Sequence, residues 1–443
     1  MKPKKPDNHP DLFRSQLSQI LNLSHPLCRL ANQINWSRLE EKIEVVYSDG
    51  CGHPALPTRL LAGLHYLKYT FNESDESVVD RWVENPYWQY FCGFEQLQHK
   101  LPLHPTTLVK WRNRVSDQLE SLLEEMLSVA LETKALKRHA LKHVNVDTTV
   151  HEKAIAFPTD ARLYHKMRIK LVHEAHKRHI PLRQSFKKVG KKAFIMQGRY
   201  ASAKQMKRSA KQTRKLKTYL GRVTRDIQRK VPKMDNDLEL LIERATQLLK
   251  QKRNDKNKIY SVHEHDVHCI AKGKIHKRYE FGSKTSIVTT SKDNWVVSAQ
   301  SLDNPYDGHT LESALNHVTQ LTGITPEHTY CDMGYRGHGI TEKTKVHLVG
   351  KIPKRATKAL RKWMKRRAAI EPVIGHLKSD HRLNRNYLKG KQGDRANTLL
   401  AAAAYNMAKL LAWFYWPKYF SVWLSDFRLL MNPSTENTGC LIG

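Results

Sequence analysis

The sequence predicts an α/β protein: a mixed sheet with flanking helices, preceded by an all-α amino-terminal domain and split after its first strand by a helical insertion. Three observations lead there. Apolar residues recur at helical spacing through residues 1–140, Val144–Val150 changes to strict alternation, and strand texture returns only from Ile259.

In the amino-terminal domain (1–140), Leu60, Leu61, Leu64 and Leu67 follow the helical period after the breaker Pro57. Leu119, Leu122, Leu123, Met126, Leu127, Ala130 and Leu131 repeat at three and four residues over more than three turns. Such stripes face a core. Between them, Asp75–Phe91 and His104–Arg114 read as short helices around a turn, the second opened by Pro105 and carrying Lys110, Arg112, Asn113 and Arg114. Asn and Arg on one polar face suit base edges in a major groove, while the same pattern also serves plain packing.

The alternation puts Val144, Val146, Thr148 and Val150 on one side of a strand and Asn145, Asp147 and Thr149 on the other. A carboxylate is uncommon within a strand, so Asp147 lies at a solvent edge or is placed for chemistry. Residues 161–257 then form a basic insertion. Between Arg162 and Lys230 there are 23 Lys or Arg and two acids, Glu174 and Asp226, and an amphipathic helix with Leu238, Leu241, Ile242, Ala245, Leu248 and Leu249 follows Pro232. This stretch is either a helical element that grips phosphates or a solvated charge run.

Tyr279–Thr290 and Asn294–Ser301 predict two strands joined by a turn at Ser291-Lys292-Asp293. A helix from about His309 to Leu321, short strands at His328–Asp332 and Lys345–Val349, and a basic helical region complete the order. Strand, large insertion, strand, strand, helix, strand, strand, helix is the layout of a ribonuclease-H-like sheet. The catalytic domain is thus expected over 141–160 and 258–416, with a carboxy-terminal tail at 417–443.

Composition narrows the partner. Lys and Arg number 76 against 42 acidic residues, a net charge of +34, which is expected where a polyanion neutralises it. Six cysteines (Cys28, Cys51, Cys92, Cys269, Cys331, Cys440) include no C-x-x-C pair and no signal peptide opens the chain, so a cytoplasmic, nucleoid-associated location without disulfides is expected. Leu399–Trp416 has nearly the length of a membrane span, yet Asn406 and Lys409 near its middle favour a buried helix of a soluble core.

Three carboxylates stand out: Asp147 in V-D-T-T-V, Asp332 in D-M-G-Y-R-G (332–337) and Glu371 in I-E-P-V-I-G-H-L-K (370–378). They fall on the first strand, the fourth strand and a later helix. Further motifs are N-P-Y-D-G-H-T-L at 304–311 and L-K-G-x-x-G-D at 388–394, with Asn397 and A-A-A-A-Y-N after it. P-T-R-L-L-A-G-L-H-Y-L at 57–67 and P-T-T-L-V-K-W-R at 105–112 lie upstream.

In this order the motifs resemble the DDE transposases of bacterial insertion sequences, specifically the IS5-type group, over most of the chain from about Pro57 to Trp413. The resemblance implies that Asp147, Asp332 and Glu371 are catalytic ligands of two Mg²⁺ (or Mn²⁺) ions. It also implies that the protein cleaves the ends of its element and joins the freed 3′-OH to target DNA. The family signature Tyr, two residues, Arg, three residues, Glu, six residues, Lys is kept at Arg367, Glu371 and Lys378, with Met364 where Tyr is expected. Arg367 and Lys378, with Tyr335, Arg336, Lys110, Arg112 and Arg114, are the expected contacts to double-stranded DNA, at terminal inverted repeats and target. A homodimer is expected from the need to hold two ends, and no membrane partner.

Glu371 and Lys378 share a helical face, but Pro372 requires that the helix start within a turn of Glu371 or kink there. Asp307 and His309 are either supports of the site or turn residues. The cluster His263, His265, His268 and Cys269 alternates faces in a strand-prone segment and lacks a second cysteine pair, which argues against zinc. Two alternatives stay beside the transposase: a nuclease of the same fold that cuts without joining, and a non-catalytic DNA-binding descendant.

Overall fold

The computed structural model describes residues 2–3, 16–48, 54–252, 254–271, 278–340, 343–350 and 356–431. The chain folds as two compact units, Met1–His151 with Lys284–Gly443, and Glu152–Ser283. Cys28, Cys92, Cys269 and Cys331 are free thiols. Cys51, Cys440 and residues 432–443 of the expected tail lie outside the described residues.

The first unit begins with helices α1 (Leu17–Ile20), α2 (Pro26–Gln33), α3 (Trp36–Glu44), α4 (Thr58–Thr70), α5 (Asp75–Glu84), α6 (Pro86–Phe91), α7 (Thr106–Arg114) and α8 (Glu120–Glu132). Side chains satisfy the free N–H groups at several starts: Asn35 caps α3, Asn85 caps α6, and Ser74 with Ser77 forms a reciprocal capping box on α5. The stripes read from α4 and α8 are buried, Leu60, Leu64, Leu122, Leu123 and Met126 each at 1% exposure or less. They share one hydrophobic cluster with Val144 and Val146 of strand β1 (His143–Lys153).

Within the second unit, α9 (Asp160–Lys177), α10 (Lys187–Ser202), α11 (Met206–Lys230) and α12 (Asn236–Lys250) have a core of their own. Thr159 caps α9 and Asp235 caps α12. Met167 and Leu171 from α9 meet Leu216, Leu220, Val223 and Ile227 from α11 and Leu238, Ala245 and Leu248 from α12. The basic stretch is therefore folded helix, with apolar residues of each of its helices buried in this core. Strand β2 (His268–Ile270) pairs antiparallel with the start of β3 (Glu280–Thr290).

The rest of the first unit supplies β4 (Val296–Leu302), α13 (Leu311–Thr322), β5 (His328–Cys331), β6 (Lys345–Leu348), α14 (Lys358–Arg366), α15 (Ile370–Ser379), β7 (Arg385–Asn386) and α16 (Gly390–Met431). Its strands run in the order β4-β3-β1-β5-β6, with β7 beside β1. β3 and β4 are antiparallel, whereas β1, β5 and β6 are parallel. This is the mixed sheet with flanking helices and a helical amino-terminal region that the pattern predicted.

The long helix α16 answers the question posed by Leu399–Trp416. No helix among the described residues is long and apolar enough to cross a membrane. Asn406 is fully buried, accepts from the Val296 N–H (3.1 Å) and donates to the Val296 carbonyl (2.8 Å), and so satisfies the main chain of β4. Lys409 donates to the Asp293 carbonyl at 2.9 Å and lies over the Trp295 ring. Asn406→Leu keeps the volume but strands a buried N–H and C=O, each at a cost of about 1–3 kcal/mol. A thermal melt should show the variant several degrees below the wild type.

Candidate active site

The register of β1 on β5 pairs His143 with His328 and Asn145 with Tyr330. Two residues further on, the same register brings Asp147 level with Asp332, just past the end of β5. Two carboxylates more than 180 positions apart therefore meet side by side, Asp147 in the middle of β1 and Asp332 just past the end of the parallel strand β5.

Glu371 arrives from above them. After α14 a single 3₁₀ turn, Arg367–Ala369, leads into α15, which starts at Ile370. Pro372 is thus in the first helical turn, where its missing N–H costs no hydrogen bond, and the helix begins beside Glu371 rather than kinking there. This junction is clamped to the sheet. Asn145, on the same face as Asp147, donates to the Arg366 carbonyl at 3.1 Å, and the Arg366 guanidinium donates to the carbonyls of Ser291 (2.9 Å) and Lys292 (2.6 Å). Trp363 of α14 stacks on His143 with ring centroids 4.3 Å apart.

Arg367 is the hub. Its Nη2 lies 2.9 Å from Asp147 Oδ2 and 3.8 Å from Asp332 Oδ2, and its Nη1 donates to Glu371 Oε1 at 2.9 Å. The three acids thus converge on one half-buried guanidinium, which cancels one of their three negative charges. Asp332 also accepts from the Gly334 N–H at 2.9 Å, closing the tight turn D-M-G-Y. A Cβ on Gly334 would sit 3.0 Å from Asp332 Oδ1 and 3.4 Å from Asp307 Oδ2, so any side chain there crowds the carboxylates.

A fourth acid supports the floor. Asp307 accepts from Thr148 Oγ1 (2.9 Å) and from Lys284 Nζ (3.0 Å), and the same ammonium donates to the Pro305 carbonyl. Tyr306 donates to the Arg336 carbonyl at 3.0 Å, pinning the 304–311 loop to the 332–337 loop. A Cβ on Gly308 would meet the Arg336 carbonyl at 3.3 Å, which explains the glycine in N-P-Y-D-G-H. His309 is exposed beside the Tyr306 ring.

Two expected DNA contacts are corrected. Arg112 does not present its guanidinium to a groove: it is 3% exposed and makes a bidentate pair with Asp75 at 2.7 Å on both oxygens. Tyr335 is fully buried beneath the acids, and its hydroxyl has no hydrogen-bond partner among the described residues, so it packs into the core rather than facing DNA. Burial, then the charges around it, pushes its phenol well above the ordinary range, and it stays a neutral donor. Lys110, Arg114 and Arg336 are exposed, and Lys378 is half-buried two turns along α15 from Glu371. Met364, at the signature's Tyr position, is buried at 3% exposure.

Lys284 and Thr148 escaped the sequence reading. The available signal was a lysine inside the strand-forming run S-K-T-S-I-V-T-T, a charge that a buried strand admits only with a partner.

Among the described residues, no group of three His, Cys, Asp or Glu side chains is arranged as a ready metal cage. The donor chemistry nevertheless fits hard divalent cations: three carboxylates with a net excess of negative charge around Arg367, and a neutral phenol beneath. Asp147, Asp332 and Glu371 are the residues that would hold them.

Comparison with known proteins gives two family matches and one relative. Residues 15–114 match the family described as Transposase domain (DUF772), and residues 249–407 match Transposase DDE domain. The second match contains Asp332 and Glu371 and begins after Asp147. The chain is 48% identical over 207 residues to "Uncharacterized protein ORF8 in nfe locus" of Rhizobium meliloti, covering 46% of this chain and 100% of that protein. No solved structure matches.

Proposed function

Because the chain belongs to the DDE transposases, with the domain arrangement typical of the IS5-type group, we propose that it binds the terminal inverted repeats of its own element, cleaves there and joins the freed 3′-OH to target DNA. The observation that carries this is the meeting of Asp147, Asp332 and Glu371 around Arg367. The strand order β4-β3-β1-β5-β6, with three parallel strands at one side, supports a ribonuclease-H-like catalytic domain over 141–160 and 258–416. Residues 1–140 then serve DNA binding and dimerisation, 161–257 form a basic insertion and 417–443 a tail.

Two Mg²⁺ or Mn²⁺ ions held by the three carboxylates would supply activation of the attacking water or 3′-OH and stabilisation of the leaving oxygen. The protein's own share is positional. Asn145 and Arg366 fix the α14–α15 junction, which sets Glu371 over Asp147 and Asp332. Lys284 and Thr148 hold Asp307 against the floor, keeping the turn that bears Asp332 in place. Lys378, on the face of Glu371, takes a phosphate, while Arg367 passes from carboxylates to the DNA backbone as substrate enters. The mechanism needs no covalent protein intermediate.

The test is incubation of purified full chain with Mg²⁺ and DNA bearing the element's ends. Joined products with new 3′ linkages are expected. Cleavage without joining would leave only a nuclease, and DNA binding without cleavage a non-catalytic descendant.

A further inference from the structure

We infer that one face of α11, in the second unit, is a separate binding surface for the phosphate backbone of duplex DNA, independent of base sequence. The choice of DNA among polyanions rests on the function proposed above; the surface itself rests on α11. Along this helix lie Lys207, Lys211, Arg214, Arg222, Arg225 and Arg229, all exposed. At about 100° per residue these six fall within an arc of about 80°. The buried residues Leu216, Leu220, Val223 and Ile227 are centred about 170° away. The cationic stripe is therefore turned as far from the core as the helix allows.

None of the six has an ion pair among the described residues. The one acid of α11, Asp226, lies off the stripe, where it accepts from the Arg183 N–H at 2.8 Å and pairs with Lys230 at 3.4 Å. Glu174 of α9 and Asp235, the cap of α12, are likewise engaged, sharing Arg178. So many unpaired cations on one face repel each other, and a polyanion relieves that repulsion.

Length and chemistry select the partner. Lys207 to Arg229 spans about 33 Å of helix, close to one turn of a B-form duplex at about 34 Å. Within the arc the exposed uncharged polar residue is Thr218, and no Asn or Gln is placed to read base edges. Contacts of this kind go to phosphates, set position and carry no sequence preference.

The test compares wild-type full chain with a Lys211→Gln/Arg214→Gln/Arg222→Gln/Arg225→Gln variant, titrated by fluorescence anisotropy against a duplex unrelated to the element's ends, over a KCl series. Each phosphate neutralised contributes about 0.9 to the slope of log Kobs against log salt, so the variant should be shallower by about 3 to 4. Single Arg222→Gln and Arg225→Gln variants, each expected to lose about 0.9, keep the question open to disproof if the quadruple variant misfolds. Unchanged slopes overturn the inference, as does tighter wild-type binding to duplex RNA or to phosphatidylserine vesicles than to DNA. If wild type never joins DNA yet the slopes change as stated, the transposase mechanism fails and this surface stands.

Discussion

Asp147→Asn is expected to lower Mg²⁺-dependent cleavage of the element's ends by about 1,000-fold or more, since losing one ligand of a charge-stabilising cation costs several kcal/mol and ~4 kcal/mol corresponds to that factor. Asp332→Asn and Glu371→Gln should fall as far. Combining the three should add little, because residues that act as one unit are strongly non-additive. Each variant removes one of several negative charges crowded around Arg367, so folding should be spared, and the melt of each protein checks that. Retained cleavage in any of the three would remove that residue from the site.

The second large effect is on stability. Asp75 sits among Arg112 and Lys68, whose side chains are 2% and 5% exposed, and it accepts from both, with His65 3.2 Å from the same guanidinium. Burial pushes the Asp75 carboxyl up, but the Arg112 hydrogen bonds and the Lys68 charge outweigh it and hold the group well below the usual carboxylate range. Lys68 moves against expectation for a paired lysine, down to about 8, because burial and the Arg112 charge exceed the pull of Asp75. The bidentate Arg112 pair is thus the dominant attraction. Asp75→Ala leaves two buried cations without their anion, which costs about 3–5 kcal/mol, read as a lower denaturation midpoint. The sign with pH follows from the depressed folded-state pKa. The pair stabilises fully above the unfolded carboxylate range, near pH 4, and its contribution is lost as pH falls below that toward the folded value. Wild type should lose stability below about pH 4 more steeply than Asp75→Ala.

Much of the site was legible because its signals are local. Alternation from Val144 to Val150 announced β1 and singled out Asp147, and the break at Asn304–Gly308 marked the turn that now holds Asp307. The helical spacing of Glu371 and Lys378 put them on one face, and Pro372 reduced the geometry to two options, of which the structure takes the helix start. What stayed hidden depends on partners distant in sequence. Arg112 looked like a surface arginine because Asp75 is 37 positions away. Its place beside Leu108, Trp111 and Val115 on the buried stripe of α7 was the clue to its direction. Tyr335 follows Asp332 in a glycine-rich turn, and nothing local says which way such a ring points. Arg367 was expected only as a contact to DNA; its contact with all three acids needed the fold.

Metal-specificity rescue tests the shared ligand site most directly. In Asp147→Cys protein a soft thiolate replaces a hard oxygen, so DNA cleavage should be lost with Mg²⁺ and recovered in part with Mn²⁺, while wild type works with both. Cleavage by Asp147→Cys that is equal in the two metals, or wild-type cleavage that persists in chelator, would contradict a metal held at Asp147.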